Sequence, residues 1–295
     1  MRIFVTGATG FIGSNVVSEL IGAGHQVLGL ARSDAAANTL AAAGAEAYRG
    51  DIENIDRLRS GADLCDGVIH TAFDHDFSKF VENCEKDRRA IEALGSGFAD
   101  TTKPLVITSS TAMGSTAPGV RASEDVFNAT SPNPRVASEL AGQWLLERGV
   151  HVITIRNSQI HDTWKQGLVS DVIALAQRKG ISAYIEEGDN AWSAAHISDS
   201  ARLYRLALEK NEAGARYHGT AESAIPFRDI AGAIGEVHGL SVRSIGADEA
   251  GGHFGWLAAF VAKDMSADNG LTRERLDWNP QGPTLLEDIR AAITQ

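Results

Sequence analysis

The chain has 295 residues, of which 43% are hydrophobic and 6% aromatic, which is enough for one large or two modest domains with a real core. Its formal net charge of −11 argues against nucleic acids and anionic membranes as partners, because both favour basic surfaces, and it leaves small molecules as the better class. No apolar run approaches the ~18 residues of a membrane-spanning helix, so we expect a cytoplasmic protein.

The first predicted elements are a strand, a glycine-rich turn and a helix. The apolar run Ile3-Phe4-Val5 leads into three glycines spaced Gly-x-x-Gly-x-x-Gly, and a helical apolar pattern follows over residues 16–21. This order is typical of a turn that binds a dinucleotide pyrophosphate at a helix N-terminus. The alternative is a glycine-rich turn without a ligand. The predicted cofactor-binding residues are Thr6, Gly7, Thr9, Gly10, Phe11, Ile12 and Gly13.

A second predicted strand, residues 25–30, ends two residues before Arg32. In dinucleotide folds the end of this strand faces the adenosine ribose. An acid there binds the 2′-hydroxyl of NAD, whereas an arginine accommodates the 2′-phosphate of NADP. No acidic residue occupies the strand end, and Asp34 lies two residues beyond Arg32, so the sequence favours NADP over NAD. The alternative is that Arg32 is a solvated surface residue.

The next two predicted strands add further candidate cofactor contacts. The third strand ends in Asp51 and Ile52, and the carboxylate is suited to accept a hydrogen bond from the adenine amino group. The fourth strand ends in Thr71 and Ala72, which are small enough for backbone to run close to a cofactor. We therefore add these four residues to the predicted cofactor site.

Strand and helix patterns continue to alternate beyond this point. Residues 103–111 form a buried strand that opens into hydroxyls, residues 134–148 have a helical pattern, and residues 150–156 form another apolar strand. Regular alternation of this kind predicts an α/β fold with a doubly wound parallel sheet of the Rossmann type.

After residue 159 the alternation loosens. We predict a dinucleotide-binding domain over residues 1–159 plus about 191–221, and a smaller substrate lobe over about 160–190 plus 222–295. No low-complexity linker or charge block marks a boundary, so we expect the two lobes to be interleaved.

Several of these segments together resemble the extended short-chain dehydrogenase/reductase family, the group of nucleotide-sugar epimerases, dehydratases and reductases. The matching segments are the glycine loop 6–13, Gly50-Asp51-Ile52, His70-Thr71-Ala72, Ser109-Ser110 and the tail 271–280. The resemblance covers nearly the whole chain. It implies NAD or NADP as cofactor and a small-molecule substrate, and it leads us to expect a homodimer.

The family's chemistry uses a Tyr-x-x-x-Lys dyad on a helix beside the nicotinamide, together with a serine or threonine after the preceding strand. In the corresponding segment of this chain, residues 134–139, Arg135 stands for the tyrosine and Glu139 for the lysine. None of the four tyrosines has a lysine four residues on: Tyr48, Tyr184, Tyr204 and Tyr217. We therefore identify the chain as an atypical member that lacks the dyad.

Arg135 has two interpretations. With Glu139 at i and i+4 it forms a helical ion pair, or it binds an anionic group of the substrate or cofactor. It is a poor general acid, because a guanidinium keeps its proton in proteins. We include Arg135 among the predicted cofactor-binding residues.

The candidate catalytic residues are Ser110, Thr111 and His161. Ser110 occupies the family's hydroxyl position and would hydrogen-bond a substrate oxygen, with Thr111 as its neighbour; the alternative is a strand-end cap. His161 is the preferred proton donor over Asp74 and His75, because the pKa of an imidazole can lie near neutrality. The alternative for His161 is a structural or solvent-facing histidine.

We expect no metal site. The phrase Asp74-His75-Asp76 offers possible ligands, but a metal needs several convergent ligands in fixed geometry. The two cysteines, Cys65 and Cys84, lie in no metal-like spacing and are predicted to be buried thiols.

Two further features receive structural interpretations. Ser198 or Asp199 is predicted to cap the helix that follows it. The aromatic residues Phe254, Trp256 and Phe260 fall at helical spacing, which favours core packing, although part of the group could line an apolar pocket.

The sequence thus predicts an NADP-dependent oxidoreductase that acts on a small carbonyl or alcohol between the lobes. A slow reductase without the tyrosine is physically reasonable, because positioning supplies much of the rate of hydride transfer. The alternatives are a dinucleotide-binding sensor without turnover and a non-redox isomerase or lyase.

Overall fold

A computed structural model describes residues 1–292. Its strands are β1 (Arg2–Thr6), β2 (Gln26–Ala31), β3 (Glu46–Arg49), β4 (Gly67–His70), β5 (Pro104–Ser110), β6 (His151–Asn157), β7 (Gln159–His161), β8 (Ile181–Ile185), β9 (Ala191–His196), β10 (Arg216–Gly219), β11 (Glu222–Pro226) and β12 (Ser241–Ile245). Its α-helices are α1 (Phe11–Gly22), α2 (Asp34–Ala42), α3 (Ile55–Asp63), α4 (Phe80–Gly95), α5 (Val136–Leu146), α6 (Leu168–Lys179), α7 (Ile197–Lys210), α8 (Phe227–His238), α9 (Ala250–Phe254), α10 (Ala258–Val261), α11 (Gly270–Leu276) and α12 (Leu285–Ala291).

Seven strands form one sheet in the order β10-β6-β5-β4-β1-β2-β3, and every neighbouring pair is parallel. The order reverses at β1, because β2 and β3 lie on one side of it and β4 to β6 on the other. Parallel strands place their carboxyl ends at one edge, and the crevice at such a reversal is where doubly wound sheets bind ligands. The predicted α/β fold with a doubly wound parallel sheet is confirmed.

The continuous apolar strands are explained by burial of both sheet faces. Along β1, Ile3 and Val5 belong to one core cluster and Phe4 to another, because successive side chains of a strand point to opposite faces. Helices α1 and α7 cover the first face, and α3, α4 and α5 cover the second. A sheet buried in this way lacks the polar alternation of a half-exposed sheet.

The rest of the chain forms two smaller sheets, β11-β9-β7 and β12-β8, around a third core cluster. Strand β10 joins the large sheet, whereas its near neighbour β9 pairs with β7 and β11. The chain therefore crosses between the two parts of the molecule at β6–β7, β9–β10 and β10–β11. No helix within residues 1–292 is both long enough and apolar enough to span a bilayer.

The cap of α7 differs from the prediction. His196 is the N-cap, and its side chain accepts a hydrogen bond from the Ser198 backbone N–H. Asp199 instead accepts from the backbone N–H groups of Gln281 at 2.9 Å and Gly282 at 2.7 Å, one on each carboxylate oxygen. Asp199 is buried, so it fastens the segment before α12 to the start of α7.

We expect Asp199→Asn to lower the free energy of unfolding by about 1–3 kcal/mol, because an amide nitrogen cannot accept and one part-buried N–H loses its partner. Urea denaturation at neutral pH measures the change. Asp229→Asn, at an exposed position on α8, is the matched control and should change stability little. Equal stability of the two variants would contradict the tethering role.

Candidate functional site

The glycine loop follows β1 directly and packs against the end of β4. Gly7 has a φ of +67°, and a Cβ there would lie 2.7 Å from the Ala72 backbone nitrogen. A Cβ at Gly13 would lie 2.0 Å from the Gly7 carbonyl oxygen. Both positions therefore exclude any other residue, and they bring the turn, α1 and the end of β4 into close contact.

The N-terminus of α1 is open towards this turn. Gly10 is the N-cap in an extended conformation, with no side-chain cap, and the first turn contains no acidic residue. Thr9 and Gly10 are exposed, while Phe11 and Ile12 are half-buried. Uncapped backbone N–H groups and the helix dipole favour an anion at this point. These residues fit a dinucleotide pyrophosphate.

Two arginines lie at the adjacent ends of β2 and β3. Arg32 follows β2, is exposed, and makes no hydrogen bond or ion pair within residues 1–292. Arg49 ends β3 opposite Ala31 and pairs with Asp34 at 3.0 Å. Sequence analysis missed Arg49, although its place at the end of the neighbouring strand was a usable signal.

The other predicted cofactor residues also lie along this edge. Asp51 is exposed, and its Oδ1 accepts from the backbone N–H groups of Glu53 and Asn54, at 2.8 and 3.1 Å, while Oδ2 has no hydrogen bond within residues 1–292. Ile52 beside it is half-buried. The Thr71 hydroxyl donates to the Thr6 carbonyl oxygen at 2.8 Å, which ties the ends of β4 and β1 together.

Arg135 lies in a buried network immediately before α5. Its Nη1 donates to Asp87 Oδ2 at 2.7 Å and to Ser138 Oγ at 2.8 Å, and its Nη2 donates to the Thr108 carbonyl oxygen at 2.8 Å. The guanidinium carbon lies 4.0 Å from the ring centroid of Phe73. The side chain is thus held between α4, the end of β5 and the segment after β4.

Asp87 is the centre of that network and is 1% exposed. Its Oδ1 lies 3.0 Å from His70 Nε2, Ser138 Oγ donates to its Oδ2 at 2.6 Å, and His70 Nδ1 lies 2.6 Å from the Thr6 hydroxyl. Burial alone would raise the pKa of the Asp87 carboxyl. The positive charge of Arg135 and the hydrogen bonds from His70 and Ser138 outweigh burial and hold the pKa at about 2.

Of the two interpretations of Arg135, the helical ion pair with Glu139 is wrong. Glu139 is buried and accepts from Arg156 Nε and Nη2, both at 2.8 Å, and from Arg216 Nε at 3.2 Å. An exposed i,i+4 pair stabilises by only a few tenths of a kcal/mol, whereas a buried charge requires full pairing. Each side chain therefore pairs with a different, distant element.

Ser110 ends β5 at the same edge. It is half-buried, and its hydroxyl makes no hydrogen bond within residues 1–292. It shares a strand face with Thr108, whose carbonyl oxygen accepts the bond from Arg135. Ser109 points the opposite way and is buried, and Thr111 is buried directly after the strand. The structure thus brings Ser110 and Arg135 to one strand end.

A model of the NAD dependent epimerase/dehydratase family matches residues 3–219. The chain belongs to this family. An uncharacterized protein of Schizosaccharomyces pombe is 44% identical over 290 residues, which are 98% of each chain. The resemblance to extended short-chain dehydrogenases/reductases is confirmed.

Two solved structures of this fold share its architecture. The dTDP-glucose 4,6-dehydratase of Streptomyces venezuelae, with NAD bound, has a TM-score of 0.77 at 20% identity and covers 99% of this chain and 96% of its own. The UDP-glucose 4-epimerase of Thermotoga maritima, with UDP-glucose, has a TM-score of 0.76 at 18% identity and covers 99% and 97%. At this level of identity the likeness shows the fold.

Tyr204 does not replace the family tyrosine. It is fully buried on α7, and its hydroxyl lies 2.7 Å from Thr108 Oγ1 and 2.9 Å from Asn157 Nδ2. Burial raises its pKa to about 12, against the smaller lowering by these two hydrogen bonds. A phenol in this state stays protonated and has no access to substrate.

The structure does not bring His161 to the strand end that carries Ser110. Its neighbour Ile160 packs with Phe11 and Ile12, so His161 points to the other face of β7. There it is fully buried, with Nδ1 2.7 Å from Asp288 Oδ2. Burial lowers the pKa of this imidazole.

Within residues 1–292 no three His, Cys, Asp or Glu side chains converge as a metal site requires. Asp74 pairs with Lys86 at 3.3 Å. Cys65 and Cys84 are buried free thiols, as predicted, and burial raises the pKa of each to about 11.

Sequence analysis also missed Asp87 and Lys165. Asp87 lies at helical spacing from the buried Ala90 and Ile91, and an acid on an apolar helix face was a usable signal. The Lys165 ammonium lies 5.6 Å from the ring centroid of Phe11, at the start of α1. No signal identified Lys165, because only the tertiary fold brings the loop between β7 and α6 to the N-terminal end of α1.

We expect Asp87→Asn to lower the free energy of unfolding by about 3–5 kcal/mol at neutral pH, because it leaves Arg135 buried without its counter-charge. The folded-state pKa lies below the ordinary value of 3.8, so the part of this stabilisation that comes from the carboxylate charge is present above pH 3.8 and is lost as the pH falls to about 2. The difference between the variant and the parent protein should therefore shrink over that interval.

Denaturant titrations at several pH values test this expectation. Glu85→Gln, on the same helix but in an exposed pair with Arg88, is the control. A constant difference between Asp87→Asn and the parent from neutral pH down to pH 2 would show that Asp87 is not the titrating group.

Proposed function

We propose that the protein is an NADPH-dependent oxidoreductase that reduces a small carbonyl compound, or oxidises the corresponding alcohol, at the edge formed by the ends of β1, β4 and β5. Family membership and fold support an NAD(P)-dependent enzyme of the epimerase, dehydratase or reductase type. The observation that carries the finer proposal is the exposed Arg32 at the end of β2, which has no ion-pair partner among residues 1–292 and lies at the same edge as the open α1 N-terminus and Ser110.

The residues for the cofactor lie in order along the edge. The backbone of Gly10 to Gly13 would hold the pyrophosphate, with Lys165 facing it from the other lobe. Arg32, supported by Arg49, would bind the 2′-phosphate, and Asp51 Oδ2 would accept from adenine. This arrangement supplies local cations in a chain whose net charge is −11.

When bound, NADPH supplies a hydride to the carbonyl carbon, while the carbonyl oxygen takes a proton and becomes a hydroxyl. The Ser110 hydroxyl would donate a hydrogen bond to that oxygen. Arg135 would contribute a fixed positive charge near the developing negative charge. Because a guanidinium keeps its proton, the proton itself would come from water rather than from Arg135.

The cofactor preference is tested with Arg32→Ala. We expect the Kd for NADPH to rise about tenfold or more, since one charge-assisted hydrogen bond to phosphate is lost, while the Kd for NADH changes little. Intrinsic-fluorescence titration measures both. Arg178→Ala, an exposed arginine on α6 of the other lobe, is the control. If the parent protein binds neither dinucleotide, the proposed function is wrong; if it binds NADH more tightly, the NADP preference is wrong.

The role of the hydroxyl is tested with Ser110→Ala. We expect kcat/KM for NADPH oxidation with a panel of aldehydes and ketones to fall about 10²-fold, with the Kd for NADPH unchanged. Ser109→Ala removes the neighbouring hydroxyl that points to the buried face, and it should leave kcat/KM near the parent value. NADPH binding without turnover of any carbonyl would favour the non-catalytic sensor instead.

A further inference from the structure

Six aromatic side chains from two distant segments form a continuous row, here called the aromatic bridge. Four follow β4 and two lie between α9 and the end of α10: Phe73, His75, Phe77, Phe80, Trp256 and Phe260. The closest contact between the segments is Phe77 on Trp256, stacked with ring centroids 5.4 Å apart and planes 22° apart. Phe260 completes it, at 6.3 Å from Phe77 and 5.9 Å from Trp256.

The two rings that join the segments of the aromatic bridge lie at the surface, although Phe260 packs against the third core cluster. Trp256 is 50% exposed and Phe77 is 37% exposed, whereas Phe254 is buried in the core of the smaller lobe. The sequence interpretation of Phe254, Trp256 and Phe260 as one packed group is therefore wrong for Trp256. Trp256 is two residues from Phe254, a spacing that does not share a helix face, and α9 ends at Phe254, so Trp256 lies outside that helix. Large rings kept at the surface in mutual contact call for a reason other than folding.

The inner end of the aromatic bridge lies at the proposed catalytic edge. Phe73 lies against the Arg135 guanidinium, which in turn bonds the carbonyl oxygen of Thr108, two residues before Ser110. The next ring, His75, has its pKa lowered by burial and by the positive charges of Lys165 and Arg135. His75 lies edge-on to Phe73, with ring centroids 5.3 Å apart, so it adjoins the ring that contacts Arg135.

We propose that the substrate is an aromatic carbonyl compound whose planar ring packs against the aromatic bridge, at Phe77 and Trp256, while its carbonyl oxygen reaches Ser110. This inference rests on the proposed function. The ring faces and edges of the bridge suit offset-stacked or edge-to-face contact with another flat ring, which adds to the gain from burying apolar surface. Reduction is the two-electron step given above: hydride to the carbonyl carbon, and a proton from water to its oxygen, giving an aryl alcohol and the oxidised dinucleotide.

The experiment compares 2-naphthaldehyde with propanal as substrates of the full-length protein with NADPH. We expect Trp256→Ala and Phe77→Ala to raise KM for 2-naphthaldehyde about tenfold or more with little change in kcat, because the ring contact binds the substrate without taking part in bond making. KM for propanal and the Kd for NADPH should stay at the parent values. Trp144→Ala, an exposed tryptophan on α5 that contacts Arg148, is the matched control.

Trp256→Phe keeps a flat ring, so it should restore most of the lost affinity, which separates the loss of the ring from a general loss of structure. Far-ultraviolet circular dichroism checks that each variant is folded. Equal KM values of the parent protein for the two aldehydes, unmoved by Trp256→Ala, would overturn the aromatic substrate class while leaving the oxidoreductase in place. Turnover of UDP-glucose with NADP⁺ but of neither aldehyde would also overturn it. Failure to bind NADPH would instead remove the proposed function itself.

Discussion

The buried negative charge of Asp87 is the constraint on which the site geometry depends. A carboxylate without solvent must be paired, and its partners come from several elements: Arg135 and Ser138 at the start of α5, and His70 at the end of β4, which in turn contacts Thr6 at the end of β1. Misplacing one of these elements leaves a charge unpaired. The network therefore fixes the relative positions of the ends of β1 and β4, and it also fixes the orientation of Arg135.

In the proposed oxidoreductase, this arrangement would change the kind of catalysis. A tyrosine and lysine dyad can exchange a proton with a substrate oxygen, whereas a guanidinium keeps its proton in proteins, so Arg135 would only stabilise negative charge in place. The position of the family's lysine is altered as well. It holds Glu139, whose two carboxylate oxygens already accept hydrogen bonds from Arg156 and Arg216. Rate enhancement at such a site would rest on positioning and on fixed electrostatics rather than on acid–base exchange.

Features set by residues close together in the sequence could be predicted from it, whereas contacts between distant residues could not. The glycine loop and the fold were predictable, because the turn and the alternation of strands and helices are written in adjacent residues. Asp87 and Arg49 had local signals that went unused. The partners of Arg135 and Glu139 had no local signal. The i,i+4 spacing of these two residues favours an ion pair between them, but that pair forms only if both side chains stay on the surface. Trp256 was misassigned because its spacing of two residues from Phe254 does not place both on one helix face, and α9 ends before it.

The sequence by itself determined the doubly wound sheet, the family and the edge at which a dinucleotide would lie. These follow from local periodicity and from glycines such as Gly7 and Gly13, whose positions admit no side chain. Only the tertiary structure decided which charges pair, that His161 lies away from the strand end of Ser110, and that Phe77 meets Trp256. These contacts join residues far apart in the chain, and their formation depends on how whole elements pack, which no spacing within one element encodes.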